Sequence, residues 1–165
     1  MGDGRSFKCS KCGNSYSARW GIGYLYPVTH SEEIQKIKDG EYGQEWKDLY
    51  HSAEHVEVDT EDHVYLCGKC GCWTVEPGLS LYVPNYADEP LTEQQDVQAD
   101  EKLQGDDWSF PDNLVGCRVL RERVHKCTAC GEVMHVATKE EIQHLRCPEC
   151  GGDPEDGTGD RILWD

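Results

Sequence analysis

Ten of the 165 residues are cysteines, at positions 9, 12, 67, 70, 72, 117, 127, 130, 147 and 150. Eight of them form four Cys-x-x-Cys pairs, each followed by glycine: Cys9/Cys12/Gly13, Cys67/Cys70/Gly71, Cys127/Cys130/Gly131 and Cys147/Cys150/Gly151. Two residues between sulfurs let one tight turn aim both thiolates at a single ion. Glycine then supplies the positive backbone angle that closes the turn. Two such knuckles supply the four thiolates of a tetrahedral site, so eight cysteines imply two zinc ions. Disulfides would staple little chain at this spacing. A thioredoxin-type redox pair needs one motif at a helix start, not four ending in glycine.

Three pairings of the knuckles are open. Cys130 and Cys147 are separated by 16 residues, a usual spacing for a metal ribbon. That favours Cys127, Cys130, Cys147 and Cys150 as one site. Cys9, Cys12, Cys67 and Cys70 then form the other, across 54 intervening residues. Cys72 and Cys117 stand outside the knuckles and read as ordinary buried cysteines. His51 and His55 have the spacing of helical ligands but no further partner. His125 and His144 flank knuckles, where they could hydrogen-bond thiolates.

The elements that must hold these knuckles are short. Glu132–Ala137 reads as a strand leaving the third knuckle, and Thr138-Lys-Glu-Glu141 as a capping box with Ile142 and Leu145 inward. Arg161–Asp165 reads as a returning strand. Thr29-His-Ser-Glu32 reads as a second capping box, followed by Ile34, Ile37 and a stop at Gly40. Tyr42, Trp46, Leu49 and Tyr50 fall on one helical face. His63–Leu66 enters the second knuckle as a strand; Trp73–Val75 and Leu79–Val83 read as a hairpin around Pro77-Gly78. Residues 118–126 form the strand entering the third knuckle.

The expected fold is thus a small, metal-stapled α+β protein with two zinc ribbons built on β-hairpin knuckles. Residues 1–83 form an N-terminal ribbon with a helical insertion at about 29–52, and residues 114–165 a C-terminal ribbon. Between them, residues 84–113 read as an acidic linker or arm, with Trp108 and Phe110 as its aromatic anchors.

Charge narrows the function. The chain carries 32 acidic and 16 basic residues, a formal net charge of -16. Phosphate backbones repel such a chain, which disfavours nucleic-acid binding. No apolar run is long enough to span a membrane, and the first residues lack the apolar stretch of a secretory signal, so a cytoplasmic location is expected. No phosphate loop, nucleophile elbow or Ser/His/Asp arrangement is present, and four-thiolate sites leave no open metal position; the expectation is a protein that is not an enzyme. Its function then reads as a protein-interaction module, an acidic inhibitor or adaptor docking on a basic, nucleic-acid-binding partner. Two alternatives stand beside it. One is nucleic-acid binding through Arg118, Arg121, Arg123 and Lys126; the other is electron transfer.

The knuckles resemble those of the zinc-ribbon superfamily, including its rubredoxin-like branch. Cys147-Pro148-Glu149-Cys150-Gly151 is similar to the second knuckle of rubredoxins, which hold one iron for electron transfer across a longer gap than the one here. The resemblance implies a metal, with zinc expected ahead of iron. The N-terminal half, with Trp20-Gly-Ile-Gly-Tyr-Leu-Tyr-Pro27, is similar to small uncharacterised bacterial tandem zinc-ribbon proteins, a likeness that implies no activity.

Overall fold

The computed structural model describes residues 2–23, 25–85, 114 and 116–164. The expected acidic arm at 84–113, with Trp108 and Phe110, falls almost wholly outside the described residues. The described residues form a small α+β protein with three short antiparallel sheets and few helices. It forms two compact units, and neither is continuous in sequence. The first comprises Met1–Tyr26, Glu61–Gly78 and Val124–Asp165; the second comprises Pro27–Thr60 and Leu79–Arg123. Among the described residues no helix is long and apolar enough to cross a membrane.

The first unit contains two sheets of the same plan. In one, β1 (Gly2–Lys8) and β2 (Ser15–Trp20) form a hairpin with the first knuckle at its turn, and β9 (Asp160–Trp164) pairs with the other edge of β1. In the other, β4 (Asp62–Leu66) and β5 (Trp73–Pro77) enclose the second knuckle, and β8 (His135–Val136) pairs with β4. Glycines make the first sheet feasible. A Cβ on Gly2 would lie 2.4 Å from the Trp164 ring, and one on Gly4 2.8 Å from Ile162, so β9 can cross β1 only where β1 has no side chains. Register follows: Gly2 opposes Trp164 and Ser6 opposes Asp160.

Phe7, Tyr16, Ala18, Val64, Ala137, Ile142 and Leu145 make the main core of this unit, together with Cys9 and Cys147. Phe7 and Tyr16 are cross-strand partners whose rings stack 5.2 Å apart. The Tyr16 hydroxyl donates to the Leu145 carbonyl at 2.7 Å, which satisfies a buried polar group. The short helix α3 (Lys139–Ile142) carries the expected capping box. The Glu141 N–H donates to the Thr138 hydroxyl, and the Thr138 N–H donates to the Glu141 carboxylate. Ile142 and Leu145 are buried as their spacing predicts.

The second unit packs α1 (Tyr26–Asp39) and α2 (Gln44–Tyr50) with a sheet of β3 (Glu57–Val58), β6 (Leu81–Pro84) and β7 (Cys117–Arg121). Ile37, Trp46, Val58 and Leu81 are its core, with Ile34, Tyr42, Leu49 and Tyr50 packed around them; Trp46, Leu49 and Tyr50 share a helical face as their spacing predicts, but Tyr42 lies in the turn before α2. The Trp46 indole N–H donates to the Leu79 carbonyl at 2.8 Å. Gly40, at φ 84°, ends α1.

Three local expectations are corrected. Helix α1 begins at Tyr26, so Thr29 lies within it rather than capping it. Pro27 explains the earlier start, because a first-turn proline gives up an N–H that has no helical partner. Strands β5 and β6 are not a hairpin: β5 pairs with β4, and β6 pairs with β3 and β7. The C-terminal strand β9 does return, but onto β1 rather than onto the third and fourth knuckles' own ribbon.

Candidate metal centres

All four knuckles fold alike. In each, the glycine N–H donates to the carbonyl of the first cysteine, at 3.0, 2.9, 2.8 and 2.9 Å in chain order. The first cysteine's N–H donates to a carbonyl five residues on, that of Asn14, Cys72, Glu132 or Gly152, at 2.8, 2.8, 2.8 and 2.9 Å. Gly13, Gly71, Gly131 and Gly151 have φ between 68° and 74°, the left-handed region that a side chain would strain.

The eight knuckle cysteines gather into two groups of four, within one unit. The outer group is Cys9, Cys12, Cys147 and Cys150; the inner group is Cys67, Cys70, Cys127 and Cys130. The knuckles are therefore nested, first with fourth and second with third. This corrects the expected sequential pairing, and with it the picture of one ribbon at each end of the chain. Strand pairing is the cause. Strand β9 lies on β1, and the Glu155 N–H bonds the Lys8 carbonyl at 2.7 Å, which carries the fourth knuckle to the first. Likewise β8 lies on β4, with the Ala137 N–H on the Val64 carbonyl at 2.7 Å, and brings the third to the second.

The sulfur geometry fits a tetrahedral ion. A metal about 2.3 Å from four sulfurs sets neighbouring sulfurs about 3.8 Å apart. In the outer group Cys9–Cys150, Cys12–Cys147 and Cys12–Cys150 are 3.5, 3.8 and 3.4 Å apart. In the inner group Cys67–Cys130 and Cys70–Cys127 are each 3.5 Å apart. A disulfide would need about 2.05 Å. Zinc and iron thiolates share this geometry, so it establishes a metal-compatible cage and not the element.

Thiol acidity is divided within the first three knuckles. The Cys12 N–H draws Cys9 down to about 6, and the Cys130 N–H does the same for Cys127, also about 6. Cys67 is likewise lowered, chiefly by the Cys70 N–H. Burial opposes ionisation of Cys147, but the N–H groups of Cys150 and Glu149 outweigh it. The later cysteines of the first three knuckles behave in the opposite sense. The Asn14 N–H lowers Cys12, yet neighbouring sulfurs and burial push it up to about 12. Glu132 lowers Cys130, but burial and the adjoining sulfurs raise it to about 12. The Cys72 N–H lowers Cys70, and the sulfurs of Cys72, Cys127 and Cys67 with burial raise it to about 11. Without a cation each cage resists carrying four negative charges, which is the electrostatic demand a divalent metal meets.

The remaining candidates are placed as follows. Cys72 is exposed, not buried as expected, because it sits on the outside of the second knuckle. Cys117 is half-buried on β7, and burial pushes its thiol up. His51 caps the end of α2 and His55 lies beyond it, so the two do not share a helical face. His125 is buried, but its partners are Glu76 and the Gly78 carbonyl, each at 3.1 Å, rather than a thiolate. Its ring stacks on Tyr65 at 3.7 Å. His144 is exposed at the edge of a cavity beside the second knuckle. Comparison with protein-family models finds no match to this chain, and comparisons with curated proteins and with solved structures find none either.

Proposed function

We propose that the protein is a non-catalytic binding module whose first unit is stapled by two zinc–tetrathiolate sites of the zinc-ribbon kind. The observation that carries this reading is the pair of four-thiol cages with near-tetrahedral spacing. Each cage supplies four protein ligands, which fills a zinc ion and leaves no position for water or substrate. Zinc acts here as a structural cross-link. Apparent binding energies of about 10–16 kcal/mol in small zinc peptides show how much stability such a link can lend. Elemental analysis of purified protein tests the cofactor: two zinc per chain and no iron are expected. A coloured, iron-containing protein would instead support electron transfer.

The binding partner we infer is a basic protein. Residues 27–60 and 79–123 hold nineteen acidic against seven basic side chains, whereas the remainder holds thirteen against nine. Nine of those nineteen acids fall at positions 86–113 of the sequence, an acid-rich stretch of the kind expected for docking on a positively charged, nucleic-acid-binding surface. Capture of such a partner should weaken steeply as salt rises; salt-insensitive capture would defeat electrostatic docking.

Nucleic-acid binding through Arg118, Arg121, Arg123 and Lys126 is the weaker reading. Arg121 pairs with Glu45, and Arg123 lies over the rings of Trp46 and Tyr42, 4.9 and 5.7 Å from their centroids. These cations already have partners within their own unit.

A further inference from the structure

The two cages differ in what can reach their sulfurs. Gly152 closes over the outer cage so tightly that a Cβ there would stand 3.0 Å from the Cys9 sulfur and 3.3 Å from that of Cys150. Cys9 and Cys147 also belong to the main core, and Cys150 packs against it. The inner cage sits in a smaller cluster with Tyr65 and Met134. Exposure alone does not separate the two, since Cys12 and Cys70 are both exposed. A cavity does. It measures about 760 Å³, the size of a small-molecule site, and is lined by Cys67 and Cys70 but by no cysteine of the outer cage.

The cavity is charged unevenly. On the knuckle side, Lys69 lies between the two cysteines, and the Arg146 side chain lies along Gly71. A Cβ on Gly71 would be 3.6 Å from Arg146 Cδ and 3.7 Å from its Nη1. The Trp73 indole N–H donates to the Arg146 carbonyl at 2.7 Å, which holds Arg146 beside the knuckle. Lys69 pairs with Glu132 and Arg146 with Asp153, each at 3.6 Å and exposed. Such pairs contribute little and yield to a competing anion. On the α3 side stand Glu140 and Glu141, the latter accepting from the Thr138 N–H and facing His135 at 3.0 Å. A small anion is therefore repelled by α3 and drawn to the knuckle, although the chain as a whole carries -16.

The geometry points to the inner cage as an exchangeable zinc site, reached through this cavity by a small carboxylate-bearing thiol. This rests on the reading of the cages as zinc sites. The carboxylate docks on Lys69 and Arg146, which sets the thiol beside Cys70 at high effective concentration. The incoming sulfur bonds the metal as the Cys70 sulfur leaves it, and the thiol's proton passes to Cys70. No electrons change hands. Cys67, Cys127 and Cys130 keep three positions, the external sulfur holds the fourth, and further exchange carries the ion away. The outer cage, which this cavity does not reach, keeps its ion longer.

The test uses the full chain loaded with zinc. Mercaptosuccinate, mercaptoethanol and cysteamine present an anionic, a neutral and a cationic thiol at matched thiolate concentration. A chromogenic chelator follows the released zinc, and the cysteines set free are alkylated and located by mass spectrometry. Mercaptosuccinate should release one of the two ions at least about tenfold faster than mercaptoethanol, and cysteamine should be slowest. Cys67, Cys70, Cys127 and Cys130 should be alkylated first, and the anionic advantage should shrink as salt rises. Arg146→Gln and Lys69→Gln should each lower that advantage about threefold or more, whereas Arg146→Lys should retain it. Equal rates for the three thiols, an advantage insensitive to salt, first release from the outer cage, or Gln variants as fast as the parent would overturn the assignment. Should a Gln variant bind fewer ions, the charge series and its salt dependence on the parent chain decide. A parent protein that takes up no zinc would instead overturn the underlying reading of the cages, before any thiol is added.

Discussion

The outer and inner cages share one knuckle, one hydrogen-bond pattern and one glycine angle, yet they are held differently. The outer cage is fastened by a five-residue strand pairing, β1 with β9, and by the main core of its unit. The inner cage is fastened by the two-residue strand β8 and a four-residue hydrophobic cluster. Identical ligand chemistry can thus sit in a rigid setting or an open one. The surroundings, rather than the four cysteines, set how readily an ion is reached.

The sharpest way to break this comparison is to disable knuckles in pairs. Cys9→Ser with Cys147→Ser strikes the outer cage twice and should leave one zinc, measured by elemental analysis. Cys9→Ser with Cys67→Ser strikes both cages and should leave none. Sequential pairing predicts the reverse for each double variant.

Next in size is the pH dependence of the inner cage. With Cys70 raised to about 11 and Cys130 to about 12, both thiols are protonated between pH 7 and 9 in the metal-free protein. Zinc must displace at least those two protons, so affinity should rise with pH, about a hundredfold per unit, and fall on acidification. Calorimetry in buffers of different ionisation enthalpy counts the protons directly.

A smaller effect separates the cages by packing. Gly152→Ala would push a methyl against the Cys9 and Cys150 sulfurs and against Lys11, whose Cβ would be 2.8 Å away. Outer-cage affinity should fall about tenfold or more while the inner cage is unchanged, consistent with overpacking costs of about 1–3 kcal/mol. Competition with a chromogenic chelator resolves the two. The smallest effect tests the shared core: Tyr16→Phe removes the hydrogen bond to Leu145 and should cost about 1 kcal/mol in denaturant unfolding, without loss of either ion.

The sequence displayed the ligands plainly because thiol spacing and the closing glycine are local requirements. The Thr138 capping box and the Trp46/Leu49/Tyr50 face were legible for the same reason: each is decided within one or two turns. Pairing was not legible. Short spacing favoured joining the third and fourth knuckles, but loop closure grows only logarithmically with length. Closing the 134 residues between Cys12 and Cys147 costs about 2 kcal/mol more than closing 16, well under the energy of one metal site. Strand register therefore decided the outcome, and its signal was disguised. Gly2 and Gly4 have no side chain to mark a strand, and their role is to admit Trp164 and Ile162 across the sheet. The exposure of Cys72 was equally hidden, since composition treats a spare cysteine as a buried apolar residue.

Nesting also imposes an order on synthesis. The inner cage has all its ligands once Cys130 has left the ribosome, whereas the outer cage waits for Cys150, and its third strand for Trp164. Metal loading during translation would run from the inside outward, with β9 completing a sheet begun by β1. A chain interrupted shortly after α3 would carry a complete inner ligand set and half an outer one. The outer cage thereby marks a polypeptide that has been made as far as its fourth knuckle and β9.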